Sequence, residues 1–238
     1  MNFKNVILII PIIFLIVYFG ADVFYDSKLV IFVKPFIIPS FIIYTLSVNY
    51  KKIAVNFYYF AFLFYCGETF MLFGYDYLPV LRLGLISYLL CYLSLVLYVS
   101  QYLDKIKVIE IFKGYTLFVF ILNIIFFGGI LYILLEAIDD VFTNFIVALN
   151  TICAILLLIC SVLHLSLDGT KNSYLFFFGT IAIITNDIFS ALETYYLESS
   201  ILNILERILH FVAFLLFYMF FVGKTNQNRQ FHKIISDN

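Results

Sequence analysis

The chain has 238 residues, of which 64% are hydrophobic and 12% are charged, and its formal net charge is −1. Soluble domains are about half apolar and about a quarter charged, so this composition argues against a soluble domain and predicts an integral membrane protein. The near-neutral charge gives no reason to expect a nucleic-acid partner. All four cysteines lie in apolar runs, and we predict that they pack as small hydrophobic side chains.

Eight apolar segments follow one another with short connections. Each is close to the ~20 residues that an α-helix needs to cross a bilayer, and their continuous apolar character is unlike the alternation of a β-barrel. We predict an all-α polytopic bundle of eight transmembrane helices in one domain, residues 1–223, followed by a polar cytoplasmic tail, residues 224–238. The segments cover residues 5–20, 29–48, 53–73, 79–101, 114–135, 141–164, 173–192 and 201–223.

Lysine and arginine are unevenly distributed between the two predicted sides of the membrane. Ten lie in the N-terminus, the loops after the second, fourth and sixth segments, and the C-terminus, whereas the other four loops, with the segment ends next to them, hold three: Lys28, Arg82 and Arg207. The positive-inside rule therefore predicts that both termini are cytoplasmic. Abundant Ile, Phe, Tyr, Lys and Asn without Trp are typical of an AT-rich genome, and we predict a bacterial inner (cytoplasmic) membrane as the location.

Charged residues inside the apolar segments include Lys34, Glu68 and Asp187, which come from three separate segments. With the predicted orientation, Lys34, Glu68 and Asp187 each lie five residues from the outer end of their segment. At ~1.5 Å per residue, all three are about 8 Å below the outer boundary. Charges at membrane depth are costly and mark functional sites, so we predict that this trio forms one catalytic site. The alternatives are a structural ion pair and a lysine that extends to the interface.

Other polar residues are predicted to accompany this trio. Pro35 and Pro39 remove backbone donors beside Lys34, which either opens a cavity lined by free carbonyls or only kinks the helix. Asn186 adjoins Asp187, and Tyr88 and Tyr92 form an i, i+4 pair in the fourth segment. We interpret these five as substrate-binding candidates, with ordinary helix packing as the alternative for each.

The histidines give no reason to expect a metal. Only His164 and His210 lie inside the apolar segments, at different predicted depths, so a multi-histidine centre is not expected. We predict no metal site and no cofactor, and we place His164 at the membrane interface because it ends its segment.

Three stretches resemble the lysoplasmalogenase (YhhN-like) family of eight-helix membrane proteins. Residues 34–39, Lys-Pro-Phe-Ile-Ile-Pro, resemble its Lys-Pro-Leu-x-x-Pro pattern, and residues 64–68, Phe-Tyr-Cys-Gly-Glu, resemble Phe-Ser-x-x-Gly-Asp with Glu for Asp. Residues 179–187, followed by Ala191, are similar to Gly-Ala-x-x-Phe-x-x-Ser-Asp-x-x-x-Ala. The order of these motifs across the helices matches the family.

The chain departs from the family pattern elsewhere. Tyr88 and Tyr92 stand where the pattern has Phe and His, and Leu95 stands where it has Tyr. The eighth segment lacks the expected Tyr-Tyr-x-x-Gln. These differences favour an alternative function, a catalytically divergent lipid-binding or lipid-transport protein on the same bundle. A proton-coupled transporter typically shows internal repeats, and the sequence contains no convincing one.

The resemblance implies hydrolysis of the vinyl ether bond of lysoplasmalogens, which releases a fatty aldehyde and a glycerophospho-alcohol. Such a reaction needs an acid and a nearby anion, the roles that two carboxyl groups share in glycosidases. We predict Asp187 as the acid and Glu68, paired with Lys34, as the base or as the anion that stabilises the cationic intermediate. The predicted partners are a single-chain ether lipid and membrane lipids, and no protein partner is evident.

Overall fold

The computed structural model describes residues 3–23, 27–49, 53–74, 77–103, 115–196 and 199–236. In these ranges the regular structure is entirely α-helical, as the sequence predicts. The helices are α1 (Phe3–Val23), α2 (Ser27–Asn49), α3 (Val55–Gly74), α4 (Leu78–Ser100), α5 (Tyr115–Ala137), α6 (Val141–Asp168), α7 (Lys171–Tyr195) and α8 (Ser200–Ser236).

Six of these helices are long and apolar enough to cross a membrane. They are α3, α4, α6 and α7, together with Phe120–Ala137 of α5 and Ile204–Gly223 of α8. The described apolar stretches of α1 and α2, Ile9–Gly20 and Phe32–Ser47, are shorter. These helices indicate a multi-pass integral membrane protein, while the predicted total of eight spans stays a prediction.

Five of the ten cations on which the predicted orientation depends lie outside the described residues. Lys51, Lys52, Lys105, Lys107 and Lys113 are in the gaps between the described ranges. The cytoplasmic location of both termini therefore also stays a prediction. At the other boundary drawn from sequence, residue 223, α8 does not end but continues to Ser236.

The α6–α7 hairpin shows how local sequence sets helix ends. Asp140 caps α6 by accepting from the Thr143 backbone N–H at 2.7 Å, and Gly169 ends the helix in the left-handed conformation at φ 57°. Thr170 then caps α7 by accepting from the Ser173 backbone N–H at 3.4 Å. An oxygen side chain at each N-cap and a glycine after the C-terminus satisfy helix-end groups, so two residues are enough to reverse the chain.

The chain divides into two compact units, residues 1–88 and residues 89–238. In the first unit, α2 packs against α1 and α3. Glycines allow α3 to approach the beginning of α4 closely. A Cβ on Gly74 would lie 2.7 Å from Leu81 Cα, and one on Gly84 would lie 2.9 Å from the Met71 sulfur.

In the second unit, α7 packs against α6 and α8, and α5 packs against α6 and α7. Aromatic side chains of α7 and α8 form its interior, including Phe176, Phe217 and Phe220. His164 lies in this interior and is 1% exposed, with its ring centroid 6.2 Å from those of Phe176 and Phe220. The predicted interfacial depth of His164 stays a prediction, and the structure adds that aromatic rings cover its side chain and that α6 extends past it to Asp168.

Candidate functional site: two carboxylate clusters

The first cluster joins three helices of the first unit. Lys34 Nζ of α2 lies 2.9 Å from Glu68 Oε2 of α3. The Tyr88 hydroxyl of α4 donates a hydrogen bond to the other carboxylate oxygen, Glu68 Oε1. A cation and a phenol therefore contact the two oxygens of one carboxylate, and charge-assisted contacts of this kind are stronger than neutral ones.

This ion pair is largely withdrawn from the molecular surface. The Lys34 side chain is 24% exposed and the Glu68 side chain is 11% exposed. Charges in such a position depend on each other, since removing one partner of a buried pair costs about 3–5 kcal/mol. The structure thus brings together two of the three charged residues that the sequence predicts to meet.

Gly67 explains how Tyr88 reaches Glu68. A Cβ on Gly67 would lie 3.1 Å from the Tyr88 ring, which is tighter than an ordinary van der Waals contact. Phe64, one turn earlier on α3, meets the same ring edge to face with centroids 6.2 Å apart. The absence of a side chain at Gly67 therefore makes room for the Tyr88 ring beside Glu68.

The second cluster lies within the second unit. The Tyr92 hydroxyl of α4 donates to Asp187 Oδ2 of α7, and the neighbouring Asn186 Nδ2 donates to Asp187 Oδ1 at 3.3 Å. Tyr92 is 1% exposed, Asn186 is buried, and Asp187 is half-buried. Both oxygens of this carboxylate therefore accept from neutral donors, a phenol and an amide.

The tyrosines have a role that the sequence does not predict. They are predicted to bind substrate, whereas each hydroxyl contacts a carboxylate. The chemical signal is present in the sequence, because a phenol is one of few neutral side chains that can donate to a carboxylate inside a membrane. Tyr88 and Tyr92 supply two such phenols, four residues apart in the fourth segment.

The two remaining predicted site residues are the prolines of α2. Pro35 and Pro39 lie inside the continuous helix α2. The Ser40 hydroxyl donates to the Ile37 carbonyl at 2.6 Å. A cavity beside the prolines stays a prediction.

Glu68 and Asp187 belong to different units, so the prediction that Lys34, Glu68 and Asp187 share one cavity stays a prediction. In the described part of the chain, no group of three or more His, Cys, Asp or Glu side chains is arranged to hold a metal ion.

The described geometry supports acid–base chemistry. Each carboxylate is held by directional donors, which fixes its orientation, and Glu68 also has a cationic neighbour. A carboxyl group so oriented can accept or deliver a proton at a defined position.

Comparison of the chain with models of protein families, with curated proteins and with solved structures finds no match. The resemblance to the lysoplasmalogenase family therefore rests on the motifs in α2, α3 and α7. The class that the fold itself defines is an all-helical, multi-pass integral membrane protein.

Proposed function

We propose that this protein is a membrane-embedded hydrolase that cleaves the vinyl ether bond of lysoplasmalogens. The observation that carries the proposal is the pair of carboxylates, Glu68 and Asp187, each bound by a tyrosine of α4 within apolar helices. Buried carboxylates in membrane helices are expensive and are retained mainly where they act on a ligand or a proton.

The partners of the carboxylates support a division of labour. Glu68 has an ammonium neighbour, which favours an ionised carboxylate that can act as the base. The described donors to Asp187 are a phenol and an amide, which hold its negative charge less firmly than an ammonium does, so Asp187 is the better candidate to carry the catalytic proton. We assign the acid role to Asp187 with Tyr92 and the base role to Glu68 with Lys34.

The proposed reaction balances with water as the only co-reactant. Asp187 delivers a proton to the β-carbon of the vinyl ether, and the electron pair of the double bond forms the new C–H bond. Water then adds to the resulting oxocarbenium ion, and Glu68 takes the proton that this water loses. As the C–O bond of the hemiacetal to the glycerol breaks, Glu68 returns its proton to the leaving glycerol oxygen. Asp187 takes the proton of the hemiacetal hydroxyl, so an aldehyde and an alcohol are released and both carboxyl groups regain their starting state.

The proposal also includes the finer description of the fold. We propose eight spans with both termini in the cytoplasm of a bacterium, the inner membrane as the location, and a substrate that enters from the outer half of the bilayer. A single-chain lipid placed this way has its vinyl ether below the headgroup, at the predicted depth of about 8 Å.

The decisive assay is aldehyde release from lysoplasmenyl-ethanolamine by the purified full-length protein, followed by mass spectrometry. Time-dependent aldehyde formation supports a hydrolase, and its absence throughout the neutral pH range removes the enzymatic proposal. In that event, retained binding of the lipid would favour the lipid-binding alternative. The replacement of a family histidine by Tyr92, which is buried against Asp187, is the observation that favours this second function.

A further inference from the structure

The Asn186 side chain has one engaged end and one open end. Its amide nitrogen donates to Asp187 Oδ1 at 3.3 Å. Its carbonyl oxygen, Oδ1, is buried and accepts no hydrogen bond from the described residues. The whole residue is 4% exposed. A buried acceptor without a donor costs about 1–3 kcal/mol, and native proteins usually supply a water or a ligand to such an atom.

The contact with Asp187 determines which end of the amide is open. A carboxylate oxygen accepts hydrogen bonds, so the NH₂ end of Asn186 faces it and the oxygen is directed elsewhere. An open carbonyl oxygen requires a donor, such as a hydroxyl. Because Asn186 directly precedes Asp187, the donor has to lie close to the place where Asp187 would act.

We propose that Asn186 Oδ1 accepts a hydrogen bond from the free hydroxyl on the glycerol carbon next to the ether-bearing carbon. This inference rests on the proposed function and adds a specificity determinant to it. A lipid with a second acyl chain has an ester at that carbon and cannot donate, so it would leave the oxygen unsatisfied. Sites that bind a substrate hydroxyl discriminate strongly against analogues that lack it.

The test compares two single-chain vinyl ether lipids that differ only in this hydroxyl, which is absent from the 2-deoxy analogue. For the wild-type protein we expect kcat/KM to be about ten- to a hundredfold higher with the hydroxyl, the loss that an unsatisfied buried acceptor causes. In Asn186→Leu the ratio of the two kcat/KM values should fall to near one. The variant also loses the hydrogen bond to Asp187, and that loss slows both substrates equally. A change in the ratio of the two kcat/KM values therefore reports on the Asn186 carbonyl oxygen alone.

Thr180→Val provides the matched control. Thr180 lies on the same helix and is fully buried, and its hydroxyl also has no hydrogen-bond partner among the described residues. Its replacement removes a buried polar atom six residues from Asn186 and should keep the wild-type ratio.

The outcomes separate this inference from the proposed function. A wild-type protein that cleaves both lipids equally, or an Asn186→Leu variant that keeps the full ratio, overturns the role of Asn186 and leaves the hydrolase intact. If neither lipid is cleaved, the role of Asn186 is measured by displacement of a fluorescent lysolipid with the same two compounds. A wild-type preference for the hydroxyl that Asn186→Leu loses supports the contact, and equal binding by the wild type rejects it.

Discussion

The two carboxylate clusters are built from the same parts but differ in charge. Glu68 accepts from a phenol and from the ammonium of Lys34, whereas Asp187 accepts from a phenol and from the amide of Asn186. An ammonium stabilises an anion by direct charge attraction, which is strong where water is scarce. The difference teaches that a tyrosine orients either carboxylate, while the second partner decides how firmly its negative charge is held.

The largest expected effect comes from replacing the carboxyl group of each cluster by an amide. Asp187→Asn and Glu68→Gln keep the size of each side chain but remove its ability to exchange a proton. Each should lower kcat by about 10²- to 10⁴-fold, the usual contribution of general acid–base catalysis, in the aldehyde-release assay. Unchanged yield in the membrane fraction is the control for insertion. Substantial turnover by either variant would remove that residue from the mechanism.

A double variant tests whether the carboxyls serve one reaction. If they act on the same substrate, Asp187→Asn with Glu68→Gln should be little worse than the poorer single variant, because residues that act as a unit are not additive. Fully multiplicative losses would instead indicate independent contributions. The measurement is kcat for the four proteins under identical lipid and detergent conditions.

The stability of the charged cluster should depend on its cation. Lys34→Met leaves Glu68 without its ammonium and should lower the free energy of unfolding by about 3–5 kcal/mol. Combining it with Glu68→Gln should recover most of that loss, because no uncompensated charge remains. Thermal unfolding in detergent measures both, and a Lys34→Met protein as stable as the wild type would mean that the pair is not energetically coupled.

The packing under Tyr88 offers a smaller effect with a matched glycine. In Gly67→Ala, the new Cβ presses on the Tyr88 ring at 3.1 Å, and overpacking of this kind costs about 1–3 kcal/mol. In Gly129→Ala on α5, nothing lies within 4 Å of the added Cβ, and alanine is the better helix former. We expect the first to lower the melting temperature and the second to leave it unchanged or raise it. The same response from both would contradict the close contact.

The smallest expected effects concern the phenols. Tyr88→Phe leaves Glu68 with Lys34, whereas Tyr92→Phe removes one of the neutral donors to Asp187. Each should reduce stability by about 1 kcal/mol, with Tyr92→Phe the larger because Tyr92 is more deeply buried. Chemical denaturation of the two variants side by side measures the order, and a larger loss for Tyr88→Phe would reverse the comparison.

Position along a helix is easier to predict than direction around it. Counting residues from the predicted outer boundary places Lys34 and Glu68 at one depth, and the structure has them 2.9 Å apart. The same count does not show which side of its helix a residue faces, because these helices are apolar on all sides and one face cannot be told from another. The sequence therefore predicts that Tyr88 and Tyr92 contact lipid substrate, although their hydroxyls contact carboxylates.

Whether helices that are distant in the chain bury a side chain is also difficult to predict from the sequence. His164 ends an apolar segment, and nothing near it in the chain indicates that Phe176 and Phe220 from later helices cover its ring. Helix ends are predicted only approximately for a related reason. The two-residue turn at Gly169 and Thr170 is signalled by its capping residues, whereas Gly223, a residue type that often follows a helix, does not end α8, which continues to Ser236.

The tight turn between α6 and α7 bears on how this protein enters the bilayer. α6 has a mean hydropathy of 2.7 over its most apolar window, whereas α7, which carries Asn186 and Asp187, has 1.7. An aspartate at the centre of an inserting helix is unfavourable by about 2.5–3.5 kcal/mol on translocon scales, and Asp187, which lies nearer the end of α7, opposes insertion in the same sense but less strongly. Because Gly169 and Thr170 tie the two helices together, they can partition as one hairpin, and the strongly apolar α6 carries its more polar neighbour into the lipid.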